Sequence, residues 1–107
     1  MRIFVKMGNE MADLEKTDEI INRAFELAGL RPIGGREFMG ENGLRIEYFY
    51  HGPSADDWLS TDYNKMTIRF TTRYRYFYKN IFLKNITTKK VLKVLRAMVS
   101  TYNKGEE

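Results

Sequence analysis

The spacing of apolar residues predicts a first amphipathic helix over residues 17–28, and a start as early as residue 13 also fits the pattern. Thr17 can serve as its N-cap, because a threonine hydroxyl accepts a hydrogen bond from a free backbone N–H of the first turn. Gly29 followed by Leu30 is typical of a helix end at which glycine takes a left-handed conformation and the next apolar residue packs back on the helix. The segment therefore has a single apolar face to bury.

A second helix is predicted from about residue 88 to residue 102, with Thr87 or Thr88 as its N-cap. Its apolar positions form one broad stripe. No acidic residue occurs within this helix, whereas an ordinary surface helix mixes acidic and basic residues at i, i+4 spacing. Its polar face carries four basic residues: Lys89, Lys90, Lys93 and Arg96.

Alternation of apolar and polar residues predicts strands between the helices. Residues 44–50 alternate as a half-buried strand, and short strands are expected at residues 2–7 and 36–39. The longest extended stretch, residues 65–84, would span about 65 Å at 3.3 Å per residue, so it must turn or bulge.

Two positions for that turn fit the sequence, one near residues 73–76 and one at residues 79–80. Within the stretch, the even-numbered positions are mostly apolar or aromatic and are expected on one side. The odd-numbered positions expected together on the other side are Thr67, Arg69, Thr71, Arg73, Arg75 and Lys79.

The predicted elements follow the order (β)-α-β-β-β-α. An antiparallel sheet of three to five strands with two main helices packed on one face is the simplest way to bury both apolar stripes, so we predict an α+β fold. The other face of such a sheet can remain partly open to water. The 107 residues fit a single domain over residues 1–107.

Charge is distributed unevenly along the chain. Residues 1–62 contain 7 Lys and Arg against 12 Asp and Glu, a net charge of −5, whereas residues 63–105 contain 11 basic residues and no acidic one. The terminal Glu106 and Glu107 bring the net charge of the whole chain to +4. An asymmetry of this kind indicates contact with nucleic acid or a membrane surface.

The basic carboxyl-terminal region is the strongest candidate for function, and three interpretations of it stay open. In the first it binds nucleic acid, because Arg and Lys side chains interleaved with hydroxyls contact phosphate and sugar oxygens, and exposed aromatic rings stack on unpaired bases. In the second it binds an acidic protein partner, and in the third it is a solvated surface whose charge the acidic half partly cancels. The candidate nucleic-acid-binding residues are Arg69, Arg73, Arg75, Lys79, Lys89, Lys90, Lys93 and Arg96, with Tyr74 and Tyr76 for stacking.

Part of this pattern resembles the double-stranded RNA-binding domain. That family has the order helix, three antiparallel strands, helix, and its second helix begins with a Lys-Lys-x-x-Lys cluster; Thr88-Lys89-Lys90-Val91-Leu92-Lys93 is similar. The resemblance implies that these lysines hold phosphates across a groove. The sequence departs from the family where valine and leucine replace an Ala-rich helix, and where His51-Gly52-Pro53 differs in order from the family's Gly-Pro-x-His loop.

No catalytic or metal-binding motif stands out, so we predict a non-enzymatic protein that uses no cofactor or metal. The absence of cysteine excludes disulfides, thiolate metal sites and a cysteine nucleophile. His51, Ser54, Asp56 and Asp57 supply the residue types of a hydrolytic triad, but a triad needs groups that the fold brings together. Asp56, Asp57 and Asp62 lack the ligand spacing of an EF-hand loop.

Two classes of function remain. The first is a binding module that contacts nucleic acid, DNA or RNA, or a nucleic-acid-associated complex. The second is a small regulatory or inhibitor protein of the phage or mobile-element type. Such a protein would dock on a protein partner through the acidic loop at residues 56–62, as a phosphate mimic, or through a Tyr/Arg sheet surface.

Residues 74–78 contain four aromatic rings that cannot all face one core, so a homodimer through the sheet also fits. No apolar run reaches membrane-spanning length and the first residues lack the features of a signal peptide. We therefore expect a cytoplasmic protein without membrane contact.

Overall fold

The structure is a computed structural model that describes residues 4–7, 10–51 and 64–105, with side-chain environments for residues 14–51 and 64–105. A short 3-10 helix at Glu41–Gly43 links two of the strands. The elements in chain order are β1 (Phe4–Met7), β2 (Glu10–Asp13), α1 (Leu14–Leu27), β3 (Arg31–Gly34), β4 (Glu37–Met39), β5 (Arg45–His51), β6 (Lys65–Thr71), β7 (Tyr76–Phe82) and α2 (Thr88–Gly105).

The main sheet has five strands in chain order, β3-β4-β5-β6-β7, and every neighbouring pair is antiparallel. β1 and β2 pair with each other as a separate antiparallel hairpin. The predicted α+β class with its antiparallel sheet and two main helices is confirmed. β3 was not predicted from the sequence, because it is exposed along its whole length and shows no alternation between a buried and a solvated face.

Both helices pack on the same face of the sheet and share one core with it. Phe25 of α1 stacks on Phe38 of β4, with ring centroids 4.2 Å apart. Tyr102 of α2 meets the ring of Phe70 edge-on at 5.6 Å. The fully buried sheet residues on this face are Phe38, Ile46, Tyr48, Met66, Ile68 and Phe70.

The helix ends follow the sequence signals except at the start of α1, which begins at Leu14, so Thr17 lies inside the helix and the expectation that it is the N-cap is wrong. Gly29 has φ +84°, and the backbone N–H of Leu30 donates to the carbonyl of Phe25 at 3.0 Å, which is the predicted glycine-type ending of α1. At the start of α2, the hydroxyl of Thr87 accepts a hydrogen bond from the backbone N–H of Lys90 at 3.2 Å. Thr87 is therefore the N-cap of α2.

β6 and β7 are joined by a four-residue turn at residues 72–75, close to the first of the two predicted positions. Because the turn has an even number of residues, odd-numbered residues of β6 pair with even-numbered residues of β7: Arg69 lies opposite Tyr78, and Ile68 lies opposite Lys79. Paired residues point to the same face of a sheet. The expectation that Lys79 shares a face with Arg69 is therefore wrong, and Lys79 lies on the helix side.

Asp18 ties α1 to the sheet and to the β3–β4 turn. Its Oδ1 accepts hydrogen bonds from the hydroxyls of Tyr50 at 2.6 Å and Tyr48 at 2.8 Å, and Arg36 binds both carboxylate oxygens at 3.0 and 3.1 Å. Burial alone raises the pKa of Asp18, but the hydrogen bonds from Arg36, Tyr50 and Tyr48 outweigh it and lower that pKa below its ordinary value. Burial also raises the pKa of both tyrosines, so their hydroxyls remain donors.

We expect Asp18→Asn to lower the free energy of unfolding by about 2 kcal/mol at neutral pH, because the three donors lose a charged acceptor. The pKa of Asp18 is lowered by folding, so its stabilisation is complete above the ordinary Asp pKa of about 3.9 and is lost as the pH falls through the folded value. Urea denaturation of both proteins from neutral to acidic pH checks this. The difference between them should shrink below about pH 4, and a difference that stays constant would contradict the prediction. Glu15→Gln, at an exposed position of α1, is the control.

Candidate functional site

The glutamates of α1 and the basic residues of α2 lie on opposite sides of the helix pair. α1 meets α2 along the flank that carries Ile20, whose carbonyl accepts a hydrogen bond from Thr88 at 3.0 Å. Glu15, Glu19 and Glu26 follow i, i+4, i+11 spacing, which places them on one stripe of the other flank of α1. The acids of α1 are therefore turned away from α2.

The outer surface of α2 is basic along its length. Lys89, Lys93 and Arg96 follow i, i+4, i+7 spacing and are exposed on the face opposite the core. Lys104 lines a cleft between the end of α2 and the β6–β7 turn, and Lys90 Nζ donates to the carbonyl of Asn85 at 3.0 Å. Among the residues that the structure describes, α2 contains no acid to offset these charges.

The β6–β7 turn brings further cations to the carboxyl-terminal end of α2. Thr72 shapes this turn, because its hydroxyl accepts hydrogen bonds from the backbone N–H groups of Arg75 at 3.0 Å and Tyr74 at 3.3 Å. The guanidinium of Arg73 lies 5.9 Å from the ring centroid of Tyr74, which is 85% exposed. A cleft of about 640 Å³ separates the turn from α2, and it is lined by Thr72, Tyr74, Arg75, Phe77, Thr101, Lys104 and Gly105.

The open face of the sheet, opposite the helices, carries an ion pair and exposed aromatic rings. Arg69 pairs there with Glu47, and its guanidinium lies 4.9 Å from the ring centroid of Phe49. Hydrogen bonds with Tyr76 and Glu47 raise the pKa of Arg69. Tyr76 and Tyr78 of β7 are half-exposed on this face, with ring centroids 5.6 Å apart.

The structure brings some of the predicted binding residues together and separates others. Lys79 and the basic residues of α2 share the helix side, with the turn residues at one end, and we call this surface the basic flank. Arg69 and Tyr76 lie across the sheet from α2. Along α2 itself, Lys89 and Lys104 are about 22 Å apart at 1.5 Å per residue. The members of the basic flank are Arg73, Arg75, Lys79, Lys89, Lys90, Lys93, Arg96 and Lys104, with Tyr74 beside them.

Sequence reasoning named neither Lys104 nor Phe82, and it considered Tyr78 only among the rings of residues 74–78 for a homodimer. Lys104 was missed because α2 extends to Gly105, beyond the predicted end at residue 102. Alternation along one strand places Tyr78 and Phe82 on the same face as Tyr76 whatever the turn length. The length of the β6–β7 turn decides which face that is, and the four-residue turn makes it the open side.

The basic flank is not neutralised by the acidic half of the chain within the described residues. Arg69 is the one basic residue of the described range 64–105 that forms an ion pair, and it is not part of the flank. The ion pairs of the earlier segment join Arg36 to Asp18 and Arg45 to Glu37. Within the described part of the chain, no carboxylate is therefore in ion-pair contact with the basic flank.

The side chain of His51 contacts a residue of the neighbouring strand β6. Its Nε2 lies 2.8 Å from the hydroxyl oxygen of Thr67, and that hydroxyl donates to Oδ1 of Asn80 at 2.6 Å. Because Thr67 has a single hydroxyl proton, His51 acts as the donor in the first contact. Ser54, Asp56, Asp57 and Asp62 lie outside the described residues. No cluster of three or more His, Cys, Asp and Glu side chains suited to a metal ion occurs in the described part of the chain.

Comparisons of this chain with protein-family models, with curated proteins and with solved structures give no match. Within the described ranges, neither helix is both long and apolar enough to cross a membrane. Function is therefore inferred from the surface itself.

We expect Lys93→Glu to raise the free energy of unfolding by about 0.5 kcal/mol at low ionic strength, because a like-charge i, i+4 pair with Lys89 becomes an opposite-charge pair. The gain should fade in about 1 M salt, where the Debye length falls to about 3 Å. Urea denaturation at the two salt concentrations measures this effect. A loss of stability at low salt would show that the cations of α2 do not repel one another.

Proposed function

We propose that this protein is a small non-enzymatic module that binds nucleic acid through the basic flank. One observation supports this proposal above the others: the cations of the flank form no ion pair within the described residues. Repulsion between such charges costs stability. A surface that keeps them is suited to a polyanion, because phosphates supply opposite charges that the described residues do not provide.

The arrangement of the flank suits a phosphate backbone better than a single small anion. Its cations are spread over about 22 Å of α2 and continue onto the β6–β7 turn. Phosphates recur every 3.4 Å along each strand of a nucleic acid, so several cations can each find a phosphate at once. Among the cations, the hydroxyl of Ser100 of α2 is an additional donor to phosphate and sugar oxygens.

Docking on a protein partner is the second candidate function. The exposed rings of Tyr76, Tyr78 and Phe82 favour it, because aromatic residues beside arginine are enriched at the energetic centres of protein interfaces. The acidic loop proposed as a phosphate mimic, at residues 56–62, lies outside the described residues and gives this candidate no support. A partner that copurifies in stoichiometric amount would favour docking over nucleic-acid binding.

We expect the double variant Lys89→Glu, Lys93→Glu to lose binding to a fluorescein-labelled nucleic acid, because two phosphate contacts become repulsive. Fluorescence anisotropy over a series of salt concentrations measures the effect. With up to about six phosphate contacts, the wild-type protein should show a log–log salt slope of about −4 to −5.

The matched control is Arg23→Glu, Arg31→Glu, which changes the net charge equally but lies on the outer side of α1 and on β3. This control should keep most of the affinity. Equal losses in both double variants would mean that only the net charge matters, and the specific role of the flank would be wrong. Absence of binding at low salt by the wild-type protein would contradict the proposed function as a whole.

A further inference from the structure

Three aromatic rings of β7 remain exposed on the open face of the sheet, where neither helix covers them. Tyr76, Tyr78 and Phe82 are 50%, 54% and 67% exposed. The three positions alternate with Phe77 and Ile81, which pack against the core on the other face. We call Tyr76, Tyr78 and Phe82 the ring face. Its exposure is unexplained by core packing or by phosphate contacts on the basic flank.

Cations stand directly beside the ring face on the neighbouring strand. Tyr78 pairs with Arg69 across β6 and β7, and Phe82 pairs with Lys65, whose Nζ lies 5.8 Å from the ring centroid. Glu47 is the nearest acid along this row, and its ion pair with Arg69 offsets both charges, so Lys65 is the cation of this row that remains to bind a phosphate. Rings and cations are therefore interleaved on the open face, as they are where proteins hold a nucleic-acid strand with its bases stacked on aromatic side chains.

β7 is also an edge strand, so the surface continues from the ring face to the basic flank. Lys79, on the opposite face of β7, lies between Tyr78 and Asn80 in sequence. The turn residues Arg73 and Arg75 stand at the end of the same strand, next to Tyr76. A flexible strand that lays its bases on the ring face can reach these cations with its phosphates.

Charge complementarity favours a polyanion over a second copy of this chain as the partner that covers the ring face. In a second copy paired antiparallel along β7 and centred on the strand, Lys79 would lie opposite its own counterpart, which is unfavourable. β7 contains no acid that could offset this repulsion. A polyanion meets the same surface with the opposite sign of charge.

We propose that the ring face stacks the unpaired bases of single-stranded nucleic acid, while Lys65 and the adjoining cations of the turn and β7 bind its phosphates. This inference rests on the proposed function and names its substrate class. A duplex keeps its bases stacked inside the helix and offers no ring surface to these side chains, so the ring face discriminates in favour of single strands.

The test compares a fluorescein-labelled oligothymidylate of about 12 nucleotides with a duplex of equal length, by fluorescence anisotropy at several salt concentrations. We expect Tyr78→Ala to weaken single-strand binding by about 5- to 100-fold, the loss that follows from removing one stacking ring. Its salt slope should stay unchanged, because no phosphate contact is removed. Arg73→Gln should instead reduce the slope by about one unit.

Two matched variants separate stacking from a general loss of structure. Tyr78→Phe keeps the ring and should keep the affinity for the single strand. Leu27→Ala removes a half-exposed apolar side chain from α1, away from the ring face, and should have no effect. Duplex binding should change less than about twofold with Tyr78→Ala, because the phosphate contacts supply most of that affinity.

Each other result overturns the inference. Equal affinity for single strand and duplex, unchanged by Tyr78→Ala, would be consistent with the proposed function but would contradict base stacking on the ring face. A dimer in sedimentation that Tyr78→Ala dissociates, without single-strand binding, would make the ring face an interface between copies. Absence of binding to both probes at low salt would remove the proposed function and this inference together.

Discussion

The two helices cover one face of the five-stranded sheet, and the exposure of the other face depends on this arrangement. α1 and α2 lie side by side on that face and enclose the core with it. The other face has no helix over it in the described part of the chain. Apolar rings that point to the open side therefore stay in contact with water, at the cost of unburied surface. A binding surface is the simplest physical reason for a sheet to keep them there.

The packing of the two helices also keeps the charges apart. Asp18 holds α1 to the sheet through Arg36, Tyr48 and Tyr50, and this fixes how the helix is turned about its axis. With α1 in that orientation, its remaining acids face away from α2. The basic residues of α2 then lack the acidic neighbours that helices ordinarily place beside lysines. Segregation of charge along the sequence becomes segregation in space.

The length of the β6–β7 turn determines which residues of β7 lie on the same face of the sheet as Arg69. Four residues, 72–75, reverse the chain, so Tyr78 rather than Lys79 stands beside Arg69. A turn one residue longer or shorter would exchange the faces of every residue in β7. Thr72 stabilises this length by accepting hydrogen bonds from two backbone N–H groups within the turn. One short loop thus separates the aromatic open face from the basic flank.

Local sequence signals determined much of the fold. The apolar periodicity of both helices, the ending at Gly29, the cap at Thr87 and the alternation over residues 44–50 all depend on interactions within a few residues, so the sequence alone predicts them. The uneven charge of the two halves could also be predicted. The register of β7, the placement of Tyr78 and Phe82, and the absence of ion pairs to the basic flank within the described residues depend on residues far apart in the chain. Only the tertiary structure decided these, because side chains meet across strands and helices through packing that no local pattern encodes.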